Sequence, residues 1–177
     1  MFLVISTSLN PNSRSRILAE FACEQLRARA DGDCRLFDLA KKTLPPCDAG
    51  ACYGHPNVAE LAGEIKQAQG ILIATPIYNY NVSSSAKLMV ELTGKAWTEK
   101  VVGFLCAAGG SGSYMSCMGL ANSLMLDFRT LVLPRFVYTT GESFAGDDIA
   151  DNEIEDRVSG LVEQLMAVSQ ATMPPDE

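Results

Sequence analysis

The stretch TPIYNYNVSSSAKL, residues 75–88, decides how the rest of the chain is interpreted. It follows the apolar run 71–74, whose brevity and β-branched residues predict a buried strand. It ends in a serine-rich segment that predicts the start of a helix running toward Gly94. Between them, Pro76 and four polar or aromatic residues predict a loop at the strand's carboxyl end. In open α/β sheets ligands bind at that edge, although a single loop of this kind is also an ordinary surface turn.

Length and composition indicate one globular domain. The chain has 177 residues, 47% of them hydrophobic, and a formal net charge of −7. One core suits this size, and the charge argues against nucleic acid or an anionic membrane as a partner. No run approaches the roughly 20 apolar residues of a membrane span, and the N-terminus does not resemble a signal peptide. We therefore expect a cytoplasmic protein, with a domain over residues 1–170 and a flexible tail over 171–177.

The six cysteines are expected to be reduced thiols without a redox role. Cys47 and Cys52 are close in sequence, and the sole histidine, His55, lies near them. A zinc or iron–sulfur site there is an alternative, but such sites use more ligands at tighter spacings. Reduced thiols are the ordinary state in the cytoplasm, so no metal is expected.

Hydrophobic periodicity predicts five strands alternating with five helices. The strands are predicted at 2–6, 34–39, 71–74, 101–108 and 131–140. The helices are predicted to begin after the polar turn 6–12, at Asn57 with a capping box completed by Glu60, at Ser84, near Tyr114 and at Asn152.

This alternation predicts an α/β fold with a parallel sheet and helices on both faces. The strand over 131–140 contains Pro134, which cannot donate to a ladder, so it belongs at an edge. The second strand is short and relatively polar, which is also typical of an edge. The flavodoxin-type order 2-1-3-4-5 places both at the edges.

In that order the loops after strands 1, 3 and 4 lie side by side. The first, SLNPNSRS over residues 8–15, offers hydroxyls and Arg14 at a helix N-terminus, which suits a phosphate. The second offers Tyr78 and Tyr80 as faces for a flat heterocycle. The third, GGSGS over 109–113, permits close backbone approach. Each is also an ordinary turn or helix start, but together they describe a site for flavin mononucleotide (FMN).

The same residues resemble the NADPH-dependent FMN reductase family of flavodoxin-like flavoproteins. The 8–15 loop resembles the family's phosphate loop, and residues 76–88 resemble its ProGluTyrAsn segment, which ends in a Lys at the position of Lys87. The resemblance covers nearly the whole chain. It implies that the phosphate is held by Ser8, Asn10, Ser13, Arg14 and Ser15, and that the ring is lined by Pro76, Ile77, Tyr78 and Asn79, with Gly109, Gly110 and Ser111 opposite.

Two positions depart from the family pattern. Many relatives have an arginine where Asn10 stands, so a positive charge beside the phosphate is missing. Many also have an acidic residue where Ile77 stands, so only the backbone amide at that position can offer a polar group to the ring.

The resemblance implies an enzyme that passes hydride from NADPH, or NADH, through bound FMN to a small acceptor. Quinones, azo compounds, free flavin and metal oxyanions are the acceptor classes. No catalytic acid or base is expected, because flavin chemistry mainly asks the protein for binding, orientation and electrostatics. The alternative is a non-enzymatic flavodoxin-type electron carrier. Such carriers are also acidic, but their Thr/Ser-Gly-rich phosphate loop does not match residues 8–15.

Two helices carry more apolar residues than a helix that only covers a sheet. They hold Met115, Met118, Leu120, Leu124, Met125 and Phe128 in one, and Leu88, Met89, Val90, Leu92 and Trp97 in the other. Both adjoin the predicted flavin loops. Because exposed patches of that size are unusual on monomers, we expect a homodimer, or a dimer of dimers, built on these helices. Coverage by loops of the same chain is the alternative.

Overall fold

A computed structural model describes residues 1–29 and 33–172 and shows a parallel sheet between two layers of helices. The strands are β1 (Phe2–Ser6), β2 (Cys34–Asp38), β3 (Gly70–Tyr78), β4 (Asn81–Val82), β5 (Val101–Ala108), β6 (Leu131–Val132), β7 (Val137–Thr140), β8 (Phe144–Ala145) and β9 (Asp148–Ile149). The α-helices are α1 (Arg14–Arg27), α2 (Pro56–Gln67), α3 (Ser84–Thr93), α4 (Met118–Phe128) and α5 (Asn152–Thr172). Residues 173–177 of the predicted tail lie outside the described residues.

The strand order is β2-β1-β3-β5, with β6 and β7 following each other along the outer edge of β5. All of these strands pair in parallel. The predicted flavodoxin-like class is therefore confirmed, and the order 2-1-3-4-5 becomes 2-1-3-5-7 in the observed numbering. The strand count differs because the fifth predicted strand is divided and because β3 turns back into the short antiparallel strand β4.

The edge strand is divided at Pro134 and Arg135. Pro134 has no N–H for the ladder, and Arg135 adopts a left-handed φ of 57°. As a result, β6 pairs with the beginning of β5 and β7 with its end. The prediction that Pro134 marks an edge is confirmed, and the prediction of one continuous strand over 131–140 is wrong.

Two apolar cores lie on opposite faces of the sheet. One contains residues of α1 and α5, such as Leu18 and Val158. The other contains residues of α2, α3 and α4, such as Leu61. Within β5, Leu105 belongs to the first core and Phe104 to the second. This alternation is the reason that a strand covered on both faces is apolar throughout.

Helix α2 begins one residue earlier than predicted and has a different cap. His55 precedes it, and its Nδ1 accepts a hydrogen bond of 3.2 Å from the N–H of Asn57. Pro56 occupies the first helical position, where a missing N–H costs nothing. The side chain of Asn57 donates to the carbonyl of Thr43 at 2.8 Å. The predicted capping box of Asn57 and Glu60 is therefore wrong.

The helix predicted to begin near Tyr114 has a different start. A 3₁₀ segment, Ser111–Cys117, precedes it and is kinked at Ser113, and the α-helix begins only at Met118. Along the part of the chain that is described, no helix has the length and hydropathy needed to cross a membrane.

The apolar side chains of α3 are covered by other parts of the same chain. Met89, Val90, Leu92 and Trp97 are all buried. Leu92 packs with Cys52 and Val58, which belong to the connection before α2 and to α2 itself. Met89, Val90 and Trp97 belong to the core between the sheet and α2, α3 and α4, so the expectation that α3 presents an open apolar surface is wrong.

Candidate functional site

A continuous cleft runs along the carboxyl edge of the sheet. One part, the anion end, has a volume of ≈ 470 Å³ and lies between the loop after β1 and the end of β3. The other part, the aromatic end, has a volume of ≈ 620 Å³ and lies between the β3–β4 turn and the segment after β5. The two parts are joined, because Ile77, Tyr78 and Gly109 line both.

The structure brings almost all of the predicted site residues into this cleft. The anion end is lined by Ser8, Asn10, Ser13, Arg14, Ser15, Pro76, Ile77, Tyr78 and Gly109. The aromatic end adds Asn79 and Gly110. Ser111 is the exception: it begins the 3₁₀ segment, is exposed, and lines neither part.

The start of α1 supplies the anion end with hydrogen-bond donors. Ser13 is the N-cap, and its Oγ accepts a bond of 3.2 Å from the N–H of Arg16. The same Oγ lies 2.9 Å from the Oγ of Ser15. The first N–H groups of a helix have no partner within it and carry a partial positive charge. Hydroxyls, amides and a guanidinium form a donor set that suits a phosphate.

Arg14 lies against the backbone of Gly141. A Cβ at that glycine would be only 2.5 Å from Nη1 of Arg14, closer than real side chains approach. Gly141 directly follows β7, so the edge strand helps to position the cation of the anion end. The sequence interpretation missed this contact, which joins residues far apart in the chain.

The hairpin of β8 and β9 is a second part of the cleft that the sequence interpretation missed. Its two-residue turn, Gly146 and Asp147, lines the anion end. Gly146 has a φ of 65°, which glycine adopts without strain in a tight hairpin turn. The Gly-Asp pair is the signal that could have located the turn. Asp147 adds a carboxylate that opposes an anion at this end.

A buried hydroxyl network joins the loop after β1 to the loop after β3. Thr7 donates its N–H to the carbonyl of Ala74 at 2.9 Å, and its Oγ1 lies 3.2 Å from the Oγ of Ser83. Ser83 Oγ is also 3.4 Å from Thr75 Oγ1 and 3.0 Å from Ser85 Oγ. Ser85 donates to the carbonyl of Thr7. Such networks rigidify their surroundings when satisfied, so the two walls of the cleft are fixed relative to each other.

The aromatic end is bordered by a strained turn. Asn79 and Tyr80 connect β3 to β4 with φ values of 50° and 60°. A two-residue hairpin turn with both φ values positive usually holds Asn-Gly or Asp-Gly, so tyrosine is unusual there. The Oη of Tyr80 would be 3.5 Å from a Cβ built at Gly112. The turn therefore extends an aromatic ring toward the opposite wall.

The opposite wall is held by Tyr138 of β7. Its hydroxyl donates to the carbonyl of Gly110 and lies 2.7 Å from the Oγ of Ser113. Tyr138 is buried within the sheet layer, so the sheet sets the position of this wall. A Cβ at Gly110 would meet nothing within 4 Å, which means that the space in front of the backbone is open.

Cys47, Cys52 and His55 do not form a common site. His55 caps α2, and Cys52 is buried while Cys47 is exposed. A hydrogen bond with Cys47 raises the pKa of Tyr53 above its ordinary value. Within residues 1–29 and 33–172, no group of three or more His, Cys, Asp or Glu side chains is placed to hold a metal ion.

Buried thiols pair elsewhere. The Sγ atoms of Cys23 in α1 and Cys34 in β2 are 2.6 Å apart. This contact lowers the pKa of Cys23, and the contact together with burial raises the pKa of Cys34 above its ordinary value. Neither residue lines the cleft.

Known proteins with similar sequences are oxidoreductases. The chain is 25% identical over 193 residues to the FMN-dependent NADH:quinone oxidoreductase of Haemophilus influenzae, with 90% of this chain and 98% of the relative covered. It is 21% identical over 173 residues to the NADPH azoreductase of Bacillus sp., with 97% and 91% covered.

Solved structures share the fold. One is the flavoenzyme NAD(P)H:(acceptor) oxidoreductase FerB of Paracoccus denitrificans, with a TM-score of 0.76, 20% identity, and coverage of 96% of this chain and 97% of that one. The sequence profile of NADPH-dependent FMN reductases matches residues 1–144. The chain therefore belongs to the NADPH-dependent FMN reductase family and is an FMN-dependent NAD(P)H oxidoreductase.

Proposed function

We propose that the cleft binds FMN with its phosphate at the anion end and its ring at the aromatic end, and that the enzyme reduces small planar acceptors with NADPH or NADH. One observation carries this proposal: a single cleft joins a donor-rich helix start to an aromatic, glycine-lined surface through Ile77, Tyr78 and Gly109. A flavin mononucleotide has the same polarity, with a dianion at one end and a flat ring at the other.

The residues of the anion end suit a phosphate in different ways. Ser13, Ser15 and Arg14 would donate to it, and the start of α1 adds backbone amides. Ser8 accepts a hydrogen bond from the N–H of Asn10 at 3.2 Å. Asn10 accepts one through Oδ1 from the N–H of Asn12 at 3.0 Å, and its side-chain N–H groups would donate to the phosphate.

Bound FMN would supply the redox chemistry, and the chain would supply orientation and electrostatics. The backbone amides of Tyr78 and Asn79 and the start of α3 carry partial positive charges that favour negative charge on the ring. The side chain of Ile77 is buried and apolar, so its position would contribute through the backbone. No side-chain acid or base is required.

Small planar molecules are the acceptors that best suit the aromatic end. Tyr78 and Tyr80 are 55% and 75% exposed there, and exposed aromatic rings stack well on flat molecules. Relatives are named for a quinone and for azo compounds. We therefore infer a quinone or azo acceptor, with free flavin as a further candidate, rather than a protein partner of an electron carrier.

The function is tested with purified, FMN-loaded protein and no partner reductase. Oxidation of NADPH and of NADH is followed by absorbance in the presence of a benzoquinone, an azo dye or free FMN. We expect turnover with at least one acceptor. An electron carrier would oxidise neither nucleotide until a reductase was added, and that result would contradict the proposal.

The phosphate assignment is tested by Arg14→Ala. Loss of a hydrogen bond to a charged group should weaken FMN binding by about 1.5–3 kcal/mol, measured by fluorescence titration of the apoprotein. Arg35→Ala is the matched control, because Arg35 pairs with Glu64 on α2 and lines no part of the cleft. An FMN dissociation constant unchanged by Arg14→Ala would remove the assignment.

We also propose that the protein is a cytoplasmic homodimer, or a dimer of dimers, with α4 at its interface. Met115, Met118, Met125 and Leu126 are all at least 38% exposed. They lie on α4 and the 3₁₀ segment before it, next to the wall of the aromatic end. A cytoplasmic location agrees with six free cysteines, since oxidising compartments favour disulfides.

A further inference from the structure

A separate cleft of ≈ 640 Å³ lies between α5 and the edge of the sheet. Its lining includes Tyr114, Arg135, Glu153, Arg157 and Gln164. None of these residues lines the flavin cleft. Two arginines in one concave site stand out in a chain whose net charge is −7.

Both arginines line this cleft, and neither forms an ion pair among the described residues. Arg135 sits at the break of the edge strand with a φ of 57°, a conformation that costs an arginine energy. Arg157 donates through Nη2 to the carbonyl of Phe136 at 3.3 Å. Glu153 is four residues before Arg157 on α5 and would be its ordinary partner. Across the described residues, however, no carboxylate oxygen lies within 4.0 Å of either guanidinium.

A fixed aromatic ring completes the lining. Tyr114 stacks on Phe136 with ring centroids 4.7 Å apart and meets Tyr138 edge-on at 5.5 Å. These contacts hold the ring in place while 41% of the residue remains exposed. A flat molecule could therefore stack there without first ordering the side chain.

We propose that this cleft binds a phosphate monoester attached to a planar base, the chemistry of an adenine nucleotide. Arginine side chains recognise phosphate well, two of them line this cleft, and Tyr114 offers a surface for the base. Gln164 can donate hydrogen bonds to base or ribose groups and accept them, and the Glu153 carboxylate can accept them. The volume lies in the range of small-molecule sites.

The ligand can come from two sources. One is the 2′-phosphate end of NADPH while its other end reacts at the flavin cleft, and the other is an independent nucleotide. The two clefts share one segment, since Ser113 lines the aromatic end and Tyr114 the second cleft. If the ligand is NADPH, this cleft determines the preference of the enzyme for NADPH over NADH.

Binding is tested by calorimetry with adenosine 2′-monophosphate and FMN-loaded protein. The variants are Arg135→Asn, which suits a left-handed backbone, and Arg157→Gln. Arg129→Asn is the matched control, because Arg129 also has a positive φ, of 54°, and pairs with Glu99. We expect saturable binding that each cleft variant weakens about 10-fold or more, the effect of a lost charged hydrogen bond, while the control leaves it unchanged.

A second measurement does not depend on the variants folding. Adenosine without phosphate should bind the unaltered protein about 10-fold or more weakly than adenosine 2′-monophosphate, for the same reason. The proposal is overturned if the phosphorylated probe shows no saturable binding, if the two probes bind equally, or if Arg129→Asn weakens binding as much as the cleft variants.

Steady-state kinetics with a saturating quinone distinguish the two sources, and this arm rests on the proposed function. If the cleft holds the 2′-phosphate of NADPH, both cleft variants raise KM for NADPH and leave KM for NADH unchanged. If the cleft holds an independent nucleotide, the variants change neither KM, although they still bind adenosine 2′-monophosphate more weakly in the calorimeter. Absence of turnover with unaltered protein would count against the proposed function and not against the cleft, because calorimetry requires no turnover.

Discussion

Tyr80 occupies the second position of the β3–β4 turn with a left-handed φ of 60°, and 75% of the residue is exposed. A non-glycine residue in such a conformation typically costs about 1–3 kcal/mol. Burial does not offset this cost, because the side chain lies mostly in solvent. The ring instead borders the aromatic end of the cleft, where a flat acceptor can contact it. Strain here is consistent with selection for binding rather than for stability.

Tyr80→Gly should therefore stabilise the fold and lower the catalytic efficiency. The substitution relieves the backbone strain, but glycine also gives the unfolded chain more conformational entropy. The net effect should raise the free energy of unfolding by about 1 kcal/mol. Loss of stacking should lower kcat/KM for a quinone about 3-fold to 10-fold. Urea denaturation and steady-state assays measure the two effects. Tyr53→Gly, the control, removes an exposed tyrosine outside the cleft. It should neither raise the free energy of unfolding nor lower the activity. A Tyr80→Gly protein with lower stability and full activity would contradict this reasoning.

At the scale of elements, α5 packs closely on β5 because Gly103 has no side chain. A Cβ there would lie 2.8 Å from Cδ2 of Leu72 and 3.3 Å from Cδ1 of Leu161. Gly103→Ala should therefore lower the free energy of unfolding by about 1–3 kcal/mol, the usual cost of overpacking. Gly63→Ala in α2 is the control, since a Cβ at Gly63 meets nothing within 4 Å. That control should gain about 0.4–1 kcal/mol in the same urea titration. Equal stability of the two variants would exclude tight packing at Gly103.

Elements with strong local signals were predictable from the sequence, and those defined by distant contacts were not. The run over 101–108 is apolar throughout because both faces of β5 are covered, and the observed bounds are the predicted ones. By contrast, β8 and β9 are two residues each, too short for any alternation to show. The residues of the three cleft loops were predictable because they are adjacent in sequence. The loop predicted from Pro76 onward is wrong in its start, because β3 continues through Pro76 to Tyr78 and only Asn79 and Tyr80 form the turn. Gly141 and Tyr138 were not, because their roles come from Arg14 and Gly110, which reach them only in the fold.

For the whole molecule, the exposed apolar residues of α4 predict self-association. Leu126 is 77% exposed, and a buried charge without a partner would be costly at an interface. Leu126→Glu should therefore shift the protein from the mass of two chains, or four, to that of one, as measured by light scattering at micromolar concentration. Ala167→Glu adds the same charge on an exposed site of α5, on the opposite face of the sheet, and should leave the mass unchanged. A single-chain mass for the unaltered protein would refute the dimer.

The unequal burial of the cysteines makes the protein selectively reactive. Of the six thiols, Cys47 is exposed and the other five are buried. A maleimide reagent should therefore attach one group per folded chain and six per chain in denaturant, as counted by mass spectrometry. More than one adduct on the folded chain would mean that a buried thiol opens to solvent. A nitroxide could therefore be attached at Cys47 without mutagenesis. Because each chain would carry one nitroxide, a dipolar distance measured between two of them would join two different chains.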